Sequence, residues 1–360
     1  MKLLFDARYI RTDFHDGISR FGAELAEATI ELHPDTTFII CHEDQLKFLP
    51  AGAPSIMFHS PTSWREPFSA LYLNKYRPDI VFSPMQTIGS FGRRFKLILT
   101  LHDMIYYRHR TPPRNLPLIV RMGWRLYHLS YWPQRLTLNS ADTVATVSQT
   151  SKHDIEAARL TKRPIVVLPN APQKLAELIA PKKPTDDAPT ELIYMGSFMP
   201  YKNVETLIEG MAFLPNNYTL HLLSRITPER QAELESHRSK DTNVIFHNGV
   251  SDADYASLLA EHALLVTASF DEGYGIPVAE ALALGVPAVI SDIPIFHEVA
   301  GEGAHYFNPH DPQAFAKHVA AASSPATYKQ LSSSGKKHIL QFTWTSSARI
   351  LIELCRSLTR

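Results

Sequence analysis

Short apolar runs and amphipathic stretches alternate along the whole chain. KLLFDA (2–7), TFIICH (37–42), SIMFH (55–59), DIVFSP (79–84), LILTLHD (97–103), TVATVS (143–148) and PIVVLPN (164–170) each carry an apolar run of strand length. A second series follows with ELIYMG (191–196), YTLHLLS (218–224), NVIFHNG (243–249), ALLVTAS (263–269) and PAVISD (287–292). The intervening segments, such as SRFGAELAEATIELH (19–33) and NVETLIEGMAFL (203–214), have helical spacing. Strands that are apolar throughout and alternate with helices predict an α/β chain of parallel sheets covered on both faces. The two series are separated by APQKLAELIAPKKPTDDAPTE, where Pro, Lys and Asp accumulate as in a linker. The expected organisation is a Rossmann-like domain over 1–172, a linker over 173–190 and a second Rossmann-like domain over 191–342. A final helix over 343–360, capped by Thr343 or Thr345, is expected to cross back to the first domain.

Length and charge narrow this picture. At 360 residues the chain exceeds the usual size of one core, which supports two domains. Lys plus Arg (36) equals Asp plus Glu (36), so no bulk charge argues for nucleic acid. Cys41 and Cys355 form neither a disulfide framework nor a metal spacing, which fits a reducing compartment. The start MKLLFDARYIR meets Asp6 too early for a signal peptide, and no apolar run approaches the roughly 20 residues of a membrane span. A cytoplasmic protein is expected. Local charge departs from this balance over 104–141, which holds six arginines and no acid among tryptophans and tyrosines. That pattern suits either a peripheral contact with the inner face of an anionic plasma membrane or a core-packed helix with a solvated arginine face.

Two doubly wound domains are expected to face one cleft with their strand C-terminal ends, where such sheets bind ligands. The richest candidate there is SFDEGYGIPVAEALALGVPAVIS (269–291). After a strand, the chain turns through Glu272, Gly273, Tyr274, Gly275 and Ile276. Pro277 suits the first turn of a helix, and Gly285 its C-cap. The glycines allow close backbone approach, and N–H groups near a helix start attract phosphate. Glu272 then sits at the cleft mouth before the helix and Glu280 about one turn beyond Pro277, so the two can grip hydroxyls at opposite ends of a sugar-bearing ligand; the plainer reading is a Gly-Pro turn with one surface and one capping glutamate.

Other strand ends add polar groups. In YMGSFMPYKNVETL (194–207) Lys202 closes the loop after a strand, where it can neutralise a diphosphate, and Asn203 is expected to cap the helix that follows. Lys202 is otherwise an exposed helix-start lysine. Gly17 and Ser19 precede the first helix, either as a plain cap or as a close-approach loop, with Arg20 nearby. His102–Asp103 ends a strand, where a histidine is structural or ligand-facing. Ser148 begins a helix, and Asn170 ends the last strand of the first series in a hinge or ligand role. Asp252–Ala253–Asp254 is formally a DxD, but its place before YASLLAEHA favours capping and dipole stabilisation over a metal.

The Glu-x7-Glu spacing in EGYGIPVAE, followed by ALALGVPAVISDIP, resembles the signature of retaining glycosyltransferases of family 4, the GT-B group. The order of glycine loop, His-Asp, linker, Lys-Asn and paired glutamates resembles it over nearly the whole chain. The resemblance implies a GT-B fold and transfer of a hexose from a nucleotide-diphosphate sugar to a glycan or lipid-linked acceptor hydroxyl, in the manner of cell-envelope mannosyl- and glucosyltransferases. It implies front-face attack with retention, no metal and no cofactor. By the same resemblance Glu272 and His102 contact the donor sugar and Lys202 steadies the leaving diphosphate. Glu280 holds the ribose, the backbone of Gly273, Tyr274, Gly275 and Ile276 holds sugar or diphosphate, and Val250 lies near the base. Gly17, Ser197 and Asn203 line the donor. The family's loop arginine is replaced here by Ser197 and Tyr201, and Arg225 is the candidate substitute. GDP-mannose is the expected donor, with a UDP-hexose as the alternative. A silent sugar-nucleotide-binding protein is the reading of another class. An NAD-dependent dehydrogenase would need G-x-G-x-x-G after a first strand, and neither series has it.

Overall fold

The computed structural model describes residues 1–13, 16–112, 118–180 and 188–360. The chain forms two compact units, Met1–Asn170 with Phe342–Arg360, and Ala171–Gln341. The division falls after Asn170 rather than after residue 172. The expected linker also starts later than composition suggests. Leu175–Leu178 forms a 3-10 turn that packs on helix Asp252–Ala260 of the second unit, with Leu175 buried. Residues 181–187 of that linker lie outside the described residues.

The described residues of the first unit form seven parallel strands: β1 (Leu3–Asp6), β2 (Thr37–Ile40), β3 (Ser55–Met57), β4 (Ile80–Ser83), β5 (Lys96–Thr100), β6 (Thr143–Thr146) and β7 (Ile165–Val167). Their order is β3-β2-β1-β4-β5-β6-β7, so the winding reverses between β1 and β4. Phe5 on β1 lies between Phe38 and Phe82 of the neighbouring strands, with tilted rings 5.6 and 5.0 Å away. Such rings bury large apolar areas and fix the strand register.

Helix Gly17–Leu32 starts at Asp16, whose carboxylate accepts from the Ser19 N–H. Its buried Phe21 and Leu25 lie one turn apart, as a core-facing stripe requires. The C-terminal helix Trp344–Thr359 packs on it, with Trp344 edge-on to Phe21 at 5.9 Å. Of the two expected caps, Thr343 is used: its hydroxyl accepts from the Ser346 N–H at 3.1 Å. Ala348, Leu351, Ile352 and Cys355 supply the buried stripe, and Ser347 Oγ donates to the Pro169 carbonyl at 2.6 Å.

A fully paired ion cluster sits at the reversal point of this sheet. Asp6 and Ser83 end β1 and β4, and both are buried. Arg8 donates to both oxygens of Asp6 at 2.8 and 3.0 Å and to both of Glu66 at 2.8 and 2.9 Å. The Arg8 backbone N–H and Ser83 Oγ also donate to Asp6, at 3.3 and 3.0 Å. The guanidinium fork matches two carboxylates at once, and that geometry is what lets three charges be removed from water.

The second unit holds β8 (Glu191–Tyr194), β9 (Thr219–Leu222), β10 (Asn243–Phe246), β11 (Ala263–Thr267), β12 (Ala288–Ser291) and β13 (Ala304–Phe307). All are parallel, in the order β10-β9-β8-β11-β12-β13, with the reversal between β8 and β11. β13 is an addition to the five expected strands. Its AHYF places only Ala304 and Phe307 in the core, and the half-exposed pair between them breaks the apolar run. The stretch 104–141 divides into helices Ile105–Arg108, Leu118–His128 and Trp132–Asn139, with 113–117 outside the described residues.

Candidate functional site

The loops that follow β8 and β11 meet at the reversal point of the second sheet, where diverging crossovers leave strand ends uncovered. Three bonds join them. Asn203 Nδ2 donates to the Ala268 carbonyl at 3.0 Å, and the Phe270 N–H donates to the Tyr201 carbonyl at 2.8 Å. The third is an ion pair, Lys202 Nζ to Glu272 Oε1 at 2.6 Å. Both side chains are largely buried, at 13% and 12% exposed. The pair places an amine and a carboxylate side by side at the sheet's ligand position.

Glu272 is held from behind as well. Ser269 Oγ donates to the same Oε1 at 2.8 Å and lies 3.0 Å from Thr267 Oγ1. Ser269 is fully buried. Thr267, Ser269 and Glu272 thus form a short relay from the end of β11 to the ion pair. The sequence reading missed this relay, although hydroxyls at alternate positions of ALLVTAS are the signal that could have shown it.

The glycine turn behaves as its sequence requires. Gly275 is the N-cap of helix Ile276–Leu284 with φ of 91°, and a Cβ there would lie 2.8 Å from the Phe296 ring. Pro277 occupies the second helical position, and Gly285 closes the helix in the left-handed region. Glu280 faces inward on that helix and is 2% exposed, while Tyr274 is buried before it. Burial pushes the Tyr274 phenol far up, so it stays protonated. Ser197 is exposed beside the buried Tyr194, whose hydroxyl donates to the Ser197 carbonyl at 2.7 Å and steadies the loop.

Asn203 differs from the expectation. It sits in the left-handed region and makes no side-chain cap bond. Its amide nitrogen donates to Ala268 and Pro309, and its Oδ1 accepts from the Thr206 hydroxyl. Asn203 therefore braces the loop, and its side-chain groups are committed within the protein. The DxD is also resolved: Ser251 is the cap, and Asp254 returns a bond to it in a reciprocal capping box. Among the described residues no group of three His, Cys, Asp or Glu side chains is placed to hold a metal.

Arg225 follows β9, is exposed, and lays its stem against Gly249, whose φ is 105°. Val250 is the next residue and is partly exposed. The buried arginine of this region is Arg230, which donates to the Phe198 carbonyl at 3.0 Å and pairs with Glu205 at 2.6 Å. It supports the loop before Lys202 from beneath.

In the first unit, Gly17 opens its helix at the C-terminal end of β1. His102 follows β5, its ring edge-on to Phe21 at 5.0 Å. Its Nε2 lies 2.8 Å from the Pro84 carbonyl, so that nitrogen carries the proton and Nδ1 is left as the acceptor in the neutral ring. Burial lowers its pKa, a trend the Pro84 bond opposes. Ser148 caps helix Gln149–Ala157 through the Ser151 N–H, and Asn170 is buried.

The model of the family "Glycosyl transferases group 1" matches residues 176–338, and that of "Glycosyltransferase Family 4" matches 15–171. The chain is 30% identical over 317 residues to the O-antigen chain mannosyltransferase RfbU of Salmonella typhimurium, covering 83% of this chain and 85% of RfbU. It is 30% identical to the serotype-specific mannosyltransferase WbdA of Escherichia coli over 49% of its length, but spans only 23% of WbdA. Among solved structures, sucrose-phosphate synthase from Thermosynechococcus elongatus superposes with a TM-score of 0.74 at 17% identity, covering 99% of this chain and 98% of that one. The Anabaena protein HepE, in complex with UDP and glucose, gives 0.74 at 18% identity, covering 99% of this chain and all of the other.

Proposed function

The chain belongs to glycosyltransferase family 4, with the GT-B fold, and from that premise we propose that it moves mannose from GDP-mannose to an acceptor hydroxyl with retention. The observation that carries this reading is the Lys202–Glu272 pair at the reversal point of the second sheet. The identity to two mannosyltransferases supports mannose as the sugar. In this reading the Lys202 ammonium and the N–H groups around Gly275 and Ile276 stabilise charge on the departing diphosphate. Glu272 positions the sugar hydroxyls, Glu280 the ribose, and His102 offers Nδ1 to a donor hydroxyl. Gly17 and Arg225 approach the phosphates, and Ser197 and Val250 complete the donor contacts. The acceptor attacks from the face the diphosphate leaves, and a diphosphate oxygen takes its proton. No metal or cofactor takes part in the proposed step.

UDP-hexose is the competing donor, favoured by 25% identity to a lipopolysaccharide 1,6-galactosyltransferase of Salmonella typhimurium over 47% of this chain. Melting curves with GDP, UDP and ADP separate the two, because a nucleotide at 100 times its Kd stabilises the fold by about 2.7 kcal/mol. GDP is expected to give the largest shift, and Glu280→Ala to abolish most of it. A UDP-only shift would reassign the base, and a nucleotide shift without transfer or hydrolysis of any nucleotide sugar would favour the silent binding-protein reading.

Ser269→Ala is expected to lower kcat about tenfold, since a bond to a carboxylate contributes ~1.5 kcal/mol, with KM for the donor little changed. An equal rise in KM with unchanged kcat would show that the hydroxyl serves binding and not the placement of Glu272.

We also assign stretch 104–141 to contact with an anionic membrane surface. Met122, Leu126, Leu129 and Trp132 are exposed beside Arg125, which supports this placement. Among the described residues no helix is long and apolar enough to cross a membrane.

A further inference from the structure

A second apolar surface lies on other elements of the first unit. Trp64 is 76% exposed and Phe91 67%, with Phe68, Leu71 and Tyr72 exposed between them. They form one patch. The Phe68 and Phe91 rings meet edge-on at 6.2 Å, and Leu71 lies so close to Gly92 that a Cβ there would fall 2.4 Å from it. Asn74 clips the two segments together, donating to the Gly92 carbonyl at 2.8 Å and accepting from the Arg94 N–H at 3.0 Å. Ala70 and Leu73 of the same short helix are buried, with Ile88 and Phe95, in the core beneath. The exposed side chains are therefore a surplus that the unit's own packing does not use.

The charge around the patch is mainly positive. Arg65, Lys75, Arg77 and Arg94 are exposed on these segments. Over 60–79 and 85–96 the carboxylates are Glu66, which is buried and held by Arg8, and the exposed Asp79, which accepts from the Lys2 N–H at 2.6 Å. We propose that this surface, Trp64 to Arg77 with Phe91 to Arg94, docks on an anionic lipid bilayer. Aromatic rings seat at the boundary between headgroups and acyl chains, and the cations meet the negative leaflet. A second copy of the chain is a poor occupant, because a twofold contact would set these cations against their equivalents. The proposal is independent of the donor chemistry and of the contact assigned to 104–141.

The test is co-sedimentation of the full chain with vesicles of phosphatidylcholine alone and of phosphatidylcholine with phosphatidylglycerol. Wild type is expected to sediment with the anionic vesicles only, and less so as salt is raised. Arg65→Gln with Arg94→Gln should weaken binding by about fivefold per cation. Trp64→Ser with Phe91→Ser should weaken it at least as much, with an unchanged melting temperature and unchanged GDP-dependent stabilisation. Leu126→Ser should leave the loss caused by the patch variants intact. Vesicle binding by Trp64→Ser/Phe91→Ser equal to wild type would overturn the proposal. So would a concentration-dependent dimer, seen by ultracentrifugation, that the same variant dissolves.

Discussion

Lys202→Ala is expected to lower sugar transfer about 10²–10³-fold, the loss typical of removing one preorganised donor from a developing anion. The protein should remain folded. Lys202 lies at the edge of a surface loop whose position is also fixed by the Asn203–Ala268 and Phe270–Tyr201 bonds, so losing the ammonium does not release the loop. Glu272 would keep the Ser269 bond. The 2.6 Å ion pair has a further consequence. Lys202 is paired with Glu272, so in the proposed mechanism the two groups exchange partners when a donor enters: the lysine turns to phosphate and the glutamate to sugar hydroxyls. Glu272→Ala should therefore lower kcat by a similar factor, yet leave nucleotide affinity equal or higher, because Lys202 is no longer occupied. Steady-state kinetics with GDP titrations checks both. Unchanged kinetics in both variants would remove this pair from the site.

The largest effect on stability is expected from Arg8→Ala. Asp6 and Glu66 converge on one guanidinium in a region closed to water. Without it, two carboxylates face each other, and Asp6 keeps the N–H of residue 8 and the Ser83 hydroxyl while Glu66 keeps His59. Breaking a buried ion cluster in this way costs about 3–5 kcal/mol. Arg8→Lys keeps the charge but not the fork that serves two carboxylates, and should recover only part of that loss. Urea unfolding followed by a probe in the first unit measures it. A loss below ~1 kcal/mol for Arg8→Ala would mean that water reaches the cluster.

Much of the architecture was legible because short apolar runs mark strands, and twelve of the thirteen strands among the described residues announced themselves in this way, including the partly exposed β3, β7 and β10. β13 did not, because a half-buried edge strand such as AHYF needs apolar residues only at its two ends. The glycine turn was legible for a local reason: positive φ at Gly275 and Gly285 is a backbone demand that sequence states directly. Asn203 misled because its capping propensity is local, whereas its actual bonds reach residues 65 and 106 positions away. The Arg8 cluster was invisible for the same reason, since Glu66 is 58 residues from Arg8. Side chains that serve distant backbone or buried partners carry no periodic signature.

The central claim, that this chain transfers mannose from GDP-mannose with Lys202 and Glu272 at the reaction centre, is tested most directly by GDP release from GDP-mannose. Purified wild type, Lys202→Ala and Glu272→Ala would be compared at equal concentration. Wild type is expected to release GDP steadily, with water taking the mannosyl group in place of the acceptor hydroxyl, faster than it releases UDP from UDP-hexoses, and both variants are expected to lose at least a hundredfold. Equal release by all three proteins, or release from UDP-sugars alone, would contradict it.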